Sequence, residues 1–254
     1  MALRFINDNG LFRLFGDNTA ESIELSPGPL TNIPGGVWLL GGNDTVTGST
    51  ISELILGNDG QDSISGGAGN DTLLGGKDND FVDGGVGNDL VRGDLDADTV
   101  RGGDGNDSLF GGRGTDQLFG DAGDDFLSGD RDTDTLTGGE GSDIFALAIG
   151  GGLDIITDFG NGSDFIQVPA GVSISDILIE SSSAFTLLSL RSTGEPLAQL
   201  NNVPASSITT GRLLLPNQQR LESPPPRINI PGAPPEPSAP LPVLPDLPTL
   251  PIPF

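Results

Sequence analysis

The sequence predicts an all-β protein built as a narrow roll of short strands. From Leu39 to Ala146 the chain reads as twelve consecutive nonapeptides without an insertion. In all twelve units the eighth position is apolar and the sixth is acidic, and the first is Gly in every unit from Gly48 to Gly138. One apolar residue in nine is too sparse for a helix stripe or an ordinary sheet. It suits strands that face each other across a thin interior.

The composition favours cations as partners. The chain has 36 acidic and 11 basic residues, a net charge of -25, which argues against nucleic acid or an anionic membrane surface. It contains no Cys and no His, which excludes disulfides, thiolate catalysis, zinc sites and His-based triads. Forty Gly residues raise the entropic cost of folding, so we expect a bound metal to help stabilise the chain.

Each position of the nonapeptide predicts a local structure. Gly at positions 1, 2 and 4 is typical of a tight turn with positive φ, and positions 7 to 9 predict a three-residue strand. In such a strand only the middle residue points inward. The predicted interior residues are therefore Val46, Ile55, Ile64, Leu73, Val82, Val91, Val100, Leu109, Leu118, Leu127, Leu136 and Phe145.

Three units, GGAGNDTLL, GGVGNDLVR and GGDGNDSLF, match the pattern G-G-x-G-x-D-x-U-x at every defined position. This stretch resembles the RTX (repeats-in-toxin, hemolysin-type) calcium-binding nonapeptide family. The resemblance implies a parallel β-roll with two nonapeptides per coil, and Ca²⁺ between stacked turns, bound by turn carbonyls and position-6 carboxylates. The implied ligands are Asp44, Asp62, Asp71, Asp80, Asp89, Asp98, Asp107, Asp116, Asp125, Asp134, Asp143, Gly67, Gly69, Gly85, Gly87, Gly103, Gly105 and Gly123.

Stacking in steps of 18 residues divides these aspartates between two edges of the roll. The first edge runs from Asp44 to Asp134 and the second from Asp71 to Asp143, with a doubtful site at Glu53 because its turn lacks glycines. The first edge also carries Asp at several fourth positions and Lys or Arg at three third positions. A nearby cationic side chain weakens a Ca²⁺ site. We therefore expect tighter calcium sites on the second edge.

The charge of the repeats fits several calcium ions. The stretch holds 23 acidic and 5 basic residues, and about nine stacked sites would neutralise the excess. EF-hand loops are rejected at Asp94/Asp96/Asp98 and at Asp130/Asp132/Asp134, because neither triplet is followed by the required Gly or by Glu at the twelfth position.

The flanking segments predict caps and a tail. Residues 1–38 are expected to form an N-terminal cap and residues 147–215 a C-terminal β cap, since a repeat stack needs covered ends. The motif D-x-I-x-D-F…G-x-D-x-I predicts two short strands over the open end of the roll. Its Asp158 and Asp164 either bind a terminal calcium or cap turns without metal. Residues 216–254 are Pro-rich and predict a disordered tail, with Leu-Pro recurring at the polyproline II period as an alternative docking or export segment.

We expect a secreted, non-catalytic RTX protein that folds on binding calcium. The start of the chain does not resemble a secretory signal peptide, and in the RTX family export uses a type I system that reads a C-terminal signal. No apolar run is long enough for a membrane span. One alternative is a calcium-dependent polysaccharide-active enzyme with paired carboxylates. Another is a structural or adhesive surface component that binds cell-surface polysaccharide or self-associates.

Overall fold

The computed structural model describes residues 4–8, 11–25 and 36–216, with side chains from residue 14 onward. The predicted Pro-rich tail lies outside this part from residue 217. The described chain is all-β and has three single-turn 3-10 helices, Ile174–Asp176, Ala205–Ser207 and Thr210–Arg212. Its strands are β1 (Arg4–Asp8), β2 (Leu11–Phe15), β3 (Ser22–Glu24), β4 (Val37–Trp38), β5 (Thr45–Thr47), β6 (Leu54–Asp59), β7 (Ser63–Ala68), β8 (Thr72–Lys77), β9 (Phe81–Val86), β10 (Leu90–Leu95), β11 (Thr99–Asp104), β12 (Ser108–Arg113), β13 (Gln117–Ala122), β14 (Phe126–Arg131), β15 (Thr135–Glu140), β16 (Ile144–Ala146), β17 (Asp154–Ile156), β18 (Phe165–Gln167), β19 (Ile177–Ser181), β20 (Phe185–Leu190), β21 (Pro196–Asn201) and β22 (Leu213–Leu214).

The strands form two eleven-stranded sheets that face each other across a roll. Sheet A has the order β1-β2-β4-β6-β8-β10-β12-β14-β16-β18-β22, and sheet B the order β19-β20-β21-β17-β15-β13-β11-β9-β7-β5-β3. Within the repeats every pairing is parallel with an offset of 18 residues, as Val91 pairs with Leu109 in sheet A and Val82 with Val100 in sheet B. One coil therefore consists of two nonapeptides. The predicted parallel β-roll is confirmed.

The repeat strands are twice as long as predicted. From β6 to β15 each strand covers six residues, namely positions 7 to 9 of one nonapeptide and positions 1 to 3 of the next. The pairing continues into the turn, where Gly67 lies opposite Gly85 and Ala68 opposite Val86. The prediction of three-residue strands was wrong because stacked turns of the same shape also keep the strand spacing, so their peptide groups bond between coils.

The core is two columns of position-8 side chains that meet inside the roll. All twelve predicted interior residues are buried, with exposed fractions of 0 or 1%. Residues outside the nonapeptide stretch extend the columns, with Leu14, Ile23 and Val37 at one end and Ile156 and Ile166 at the other. Each such side chain contributes about 1.5–3 kcal/mol on burial, so the apolar core per coil is small.

Strands outside the nonapeptide stretch continue the roll and then close it. The two strands predicted to cover its open end, β17 and β18, instead each add a parallel strand to one sheet, because β17 pairs with β15 and β18 with β16. Sheet B then ends in an antiparallel meander of β19, β20 and β21, in which β21 pairs in parallel with β17. At the start of sheet A, β1 pairs with β2 in antiparallel orientation.

Candidate metal centre

The position-6 aspartates form hydrogen-bonded ladders along the two edges of the roll. Each places one carboxylate oxygen, Oδ1, where it accepts a hydrogen bond from the backbone N–H of the ladder residue one coil earlier. The Asp89 N–H donates to Asp107 Oδ1 at 2.7 Å, and the Asp107 N–H donates to Asp125 Oδ1 at 2.8 Å. The sequence provides one carboxylate in each nonapeptide, and parallel stacking of the coils aligns these carboxylates in a continuous column.

The ladders contain every aspartate predicted as a ligand and extend beyond them. Glu21 begins the first ladder and Asp154 ends it, while Glu53 begins the second and Asp164 ends it. The first ladder is Glu21, Asp44, Asp62, Asp80, Asp98, Asp116, Asp134 and Asp154, and the second is Glu53, Asp71, Asp89, Asp107, Asp125, Asp143 and Asp164.

Sequence reasoning missed Glu21 and Asp154 as members of the ladders. Residues 16–24 read GDNTAESIE, a degenerate nonapeptide with Gly first, an acidic residue sixth and Ile eighth. The insertion between this unit and Leu39 hides its frame. Asp154 precedes the buried Ile156 by two residues, the same spacing as in the repeats, but the glycines before it do not match the pattern. The spacing of two residues between an acidic residue and an apolar residue is the sequence signal that could have identified both ladder members.

The second carboxylate oxygen of these residues is buried and has no hydrogen-bond partner among the described atoms. This holds for Glu21 Oε2 and for the Oδ2 atoms of Asp44, Asp62, Asp71, Asp80, Asp89, Asp98, Asp107, Asp116, Asp125 and Asp134. A buried carboxylate oxygen without a partner is costly, because it loses its hydration without replacement. Protons or bound cations next to these oxygens would offset this cost.

The partnerless oxygens lie close to a second type of oxygen. A Cβ added at Gly84 would lie 2.5 Å from Asp89 Oδ2 and 2.6 Å from the carbonyl oxygen of Gly102, one coil later. The equivalent Gly of several other turns has the same two neighbours, a position-6 Oδ2 and a Gly carbonyl oxygen. Carboxylate and carbonyl oxygens are the ligands that Ca²⁺ prefers. The donor set therefore fits calcium.

No three carboxylates of the described residues cluster closely enough to hold a metal by themselves. Each turn instead offers one ladder carboxylate and several backbone carbonyls. Calcium accepts this mixture, since it takes six to eight oxygen ligands in flexible geometry. A transition-metal site, which requires nitrogen or sulfur ligands, does not match these turns.

Burial raises the pKa of the ladder carboxyls far above the ordinary value for Asp. Desolvation is the main cause, the backbone N–H donor opposes it, and in most cases neighbouring carboxylates raise the pKa further. The pKa is about 6 for Asp89, about 7 for Asp107 and about 9 for Asp98 and Asp134. The roll without metal therefore favours protonated carboxyls, and a divalent cation would supply the missing positive charge.

The two edges differ in the backbone of their turns. On the second edge the fourth position is always Gly in the five turns from Gly69 to Gly141, with φ between 124° and 145°. On the first edge Asp78, Asp96 and Asp132 occupy this position with φ of 72° to 76°. The predicted glycine ligands all lie on the second edge with positive φ: Gly67, Gly69, Gly85, Gly87, Gly103, Gly105 and Gly123.

A ladder of short polar side chains also joins the turns of the second edge. Each position-5 side-chain oxygen accepts a hydrogen bond from the backbone N–H of the position-5 residue one coil later, at 2.8–3.0 Å. Its members are Ser52, Asn70, Asn88, Asn106, Asp124 and Ser142. On the first edge the corresponding bonds are Gln61 to Asn43 and Ala97 to Asn79. This second ladder was not predicted from the sequence.

The two aspartates of the motif after the repeats have different roles. Asp158 accepts hydrogen bonds from the N–H groups of Gly138 and Gly139, at 3.0 and 2.8 Å, and so caps a turn. Asp164 accepts from the N–H groups of Asp143 and Gly160 and continues the second ladder. Of the two, the structure joins only Asp164 to the candidate ligands.

Among the described residues no helix is long and apolar enough to cross a membrane.

Comparison with known proteins identifies the repeat. The sequence model described as the RTX calcium-binding nonapeptide repeat (4 copies) matches at residues 56–91, 83–118, 92–127, 111–145 and 119–156. No curated protein sequence matches the chain.

Two solved structures illustrate the structural neighbours. The solution structure of the AlgE6R3 subunit of the Azotobacter vinelandii mannuronan C5-epimerase matches with 26% identity and a TM-score of 0.40, over 62% of this chain and 93% of that one. The extracellular lipase LipA from Serratia marcescens matches with 19% identity and a TM-score of 0.25, over 69% of this chain and 40% of the lipase chain.

The family match, the nine-residue pattern and the carboxylate ladders agree on one chemistry. The matched segments lie within the roll, where the ladder carboxylates lie close to Gly carbonyl oxygens. Together they support calcium binding. Residues 56–156 belong to the RTX calcium-binding nonapeptide repeat family.

Proposed function

We propose that this protein is an exported, non-catalytic calcium-binding β-roll whose repeat region folds as calcium binds. The observation that carries the proposal is the column of buried, partnerless carboxylate oxygens along each edge. The ladder aspartates and the turn carbonyls would hold the ions, and calcium would supply the positive charge that the closely stacked carboxylates lack.

The energetics favour folding that depends on calcium. About nine ions would neutralise the excess acidic charge of the repeats. For a Kd of about 10⁻⁴ M, millimolar calcium adds about 1.4 kcal/mol per site, or on the order of 13 kcal/mol over nine sites. This is comparable to the whole stability of a typical domain. The thin apolar core supplies too little free energy to offset the repulsion in the absence of cations.

A calcium titration tests this function. We expect the far-UV circular dichroism signal of the repeats to appear on addition of calcium and to disappear on addition of a chelator, with calorimetry giving the number of ions. Magnesium is the control cation, since it demands near-octahedral geometry and retains its water ligands. An unchanged spectrum in the chelator would refute calcium-dependent folding.

The non-catalytic and exported parts of the proposal have separate supports and tests. The ladder aspartates are used in the repeat architecture, and the chain lacks His and Tyr. Calcium-dependent turnover of an acidic polysaccharide would overturn the non-catalytic assignment. Export is proposed because millimolar calcium, which weak sites require, is an extracellular condition. Recovery of the protein only inside the producing cells would contradict export.

A further inference from the structure

The outer faces of the two sheets differ in burial although they come from the same repeat. Positions 7 and 9 point outward on both sheets. From β6 to β14 in sheet A, five of these ten residues are buried and none is exposed. From β7 to β15 in sheet B, none is buried and three are exposed. The buried outward residues of sheet A are Leu56, Thr72, Leu74, Arg92 and Ser128.

Two Arg–Asp pairs make the comparison quantitative. Arg92 and Asp94 on sheet A form an ion pair at 2.7 Å, and their side chains are 7% and 4% exposed. Arg101 and Asp121 on sheet B form an ion pair at 2.9 Å, and their side chains are 43% and 34% exposed. Both arginines occupy position 9 and both aspartates position 2. On an open sheet face, an ion pair is expected to be about as exposed as the Arg101–Asp121 pair.

The described elements do not account for this burial. Strands β8 to β14 of sheet A make their main contacts with their neighbours in the sheet and with the facing strands of sheet B, and the described strands and helices make no comparable contact across the outer face. We define this outer face from β6 to β14 as the A face.

The A face is also more apolar than its counterpart. Its outward residues include four Leu and two Phe, while the outward residues of sheet B include two Phe and no Leu. Phe110 and Phe126 form a ring pair on the A face with centroids 5.7 Å apart. Aromatic platforms of this kind bind Pro-rich segments in the polyproline II conformation.

We infer that the A face is the docking surface for the Leu-Pro segment of this chain's own C-terminal tail. The last described strand, β22, is the terminal strand of sheet A, so the described part of the chain ends at the edge of this sheet. From residue 228 onward that segment has two acidic residues and no basic ones. Its Leu-Pro steps recur every three residues, at Leu241, Leu244, Leu247 and Leu250.

The spacings of the two partners agree. In polyproline II, three residues advance about 9.3 Å. Two strand spacings of a sheet are about 9.6 Å. A Leu-Pro segment running along the roll axis would therefore place one Leu over every second strand. Three Leu residues span about 19 Å, which matches the four strand spacings, about 19 Å, from β6 to β14.

A spin label on the tail tests the docking. Because the chain contains no Cys, Thr249→Cys can carry a single nitroxide in the otherwise intact protein. In calcium we expect an immobilised spectrum, with a rotational correlation time that falls several-fold on Phe110→Asp. The matched variant Phe119→Asp, at the same repeat position on sheet B, should leave the spectrum unchanged. A freely mobile label in the parent chain, or equal effects of both variants, would overturn the inference.

Two further measurements keep the test decisive. Docking rests on a folded roll, so circular dichroism of the same samples separates failure of docking from failure of calcium-dependent folding. If Phe110→Asp does not fold, Leu244→Asp with Leu247→Asp alters only the tail and should release the label. Immobilisation that disappears on serial dilution would show that a second copy covers the face, which contradicts docking within one chain.

Discussion

Asp107 lies in the middle of the second ladder, where its two carboxylate oxygens have different tasks. Oδ1 accepts a hydrogen bond from the Asp89 N–H at 2.7 Å, while Oδ2 is buried without a hydrogen-bond partner among the described atoms and lies beside Gly102. Asp107→Asn keeps an acceptor for the Asp89 N–H and removes the charge. The substitution therefore separates the hydrogen bond from the electrostatic role.

The expected effect has opposite signs with and without calcium. In the calcium-free roll the pKa of Asp107 is raised from 3.8 to about 7, chiefly by desolvation. Ionising it at pH 7 costs the folded state up to about 4 kcal/mol, so Asn should stabilise the calcium-free fold by as much as this amount. With calcium present Asn supplies no charge to the site, and we expect a loss of about 1–3 kcal/mol.

Urea unfolding followed by circular dichroism at a series of calcium concentrations measures both effects. The slope of unfolding free energy against the logarithm of calcium concentration gives the number of ions taken up on folding, and Asn should lower it by one or two. Asp104→Asn is the control, because Asp104 is an exposed acidic residue of the same turn outside the ladder. Equal destabilisation by Asp107→Asn in chelator and in calcium would show that the carboxylate has only a hydrogen-bonding role.

Three further predictions follow from the same geometry. The ladder carboxyls have raised pKa values in the calcium-free roll, from about 6 for Asp89 to about 9 for Asp98. Their contribution to folding stability is therefore present below pH 4 and is lost as the pH rises through about 6 to 9. Protein in chelator should gain β signal in circular dichroism on acidification, and a signal that falls instead would contradict this. Asp107→Ala should reduce calcium affinity more than Asp98→Ala in calorimetry, and equal losses would refute two classes of edge. Gly105→Ala should lower the free energy of unfolding in calcium by more than about 2 kcal/mol, because φ is 136° and the added Cβ would overlap the Gly87 carbonyl oxygen. The control Gly150→Ala, in open space at φ 69°, should lower it by about 1 kcal/mol. Equal losses in urea unfolding would contradict the overlap.

The sequence was sufficient to predict the coil and its inward and edge residues. A strict period of nine fixes which residues repeat, and two strands per coil then place Val91 below Leu109 and Asp89 below Asp107. These relations depend on the repeat alone. They survive any error in the local turn geometry, which explains why the interior and the ladders agree with the prediction.

What the sequence could not predict depends on contacts between coils or on broken periodicity. The six-residue strands arise from bonds between stacked turns, which no single nonapeptide encodes. The orientation of Asp Oδ2 depends on turn dihedrals, and φ at the fourth position is 75° for Asp96 but 136° for Gly105. Glu21 and Asp154 join the first ladder across insertions, at intervals of 23 and 20 residues instead of 18. A search with a fixed period of nine residues therefore does not detect Glu21 or Asp154.

The antiparallel strands at the ends of the roll limit its length. A parallel solenoid with identical coils presents the same hydrogen-bonding edge at each end, and an acidic ladder with calcium between its steps could continue from one molecule into the next as a fibre. Here β1 closes the start of sheet A and β19 closes the far end of sheet B, both in antiparallel orientation. An incoming chain cannot continue the parallel register past these strands. Calcium can therefore stabilise the stacking of coils within one molecule without promoting the same stacking between molecules at those two edges.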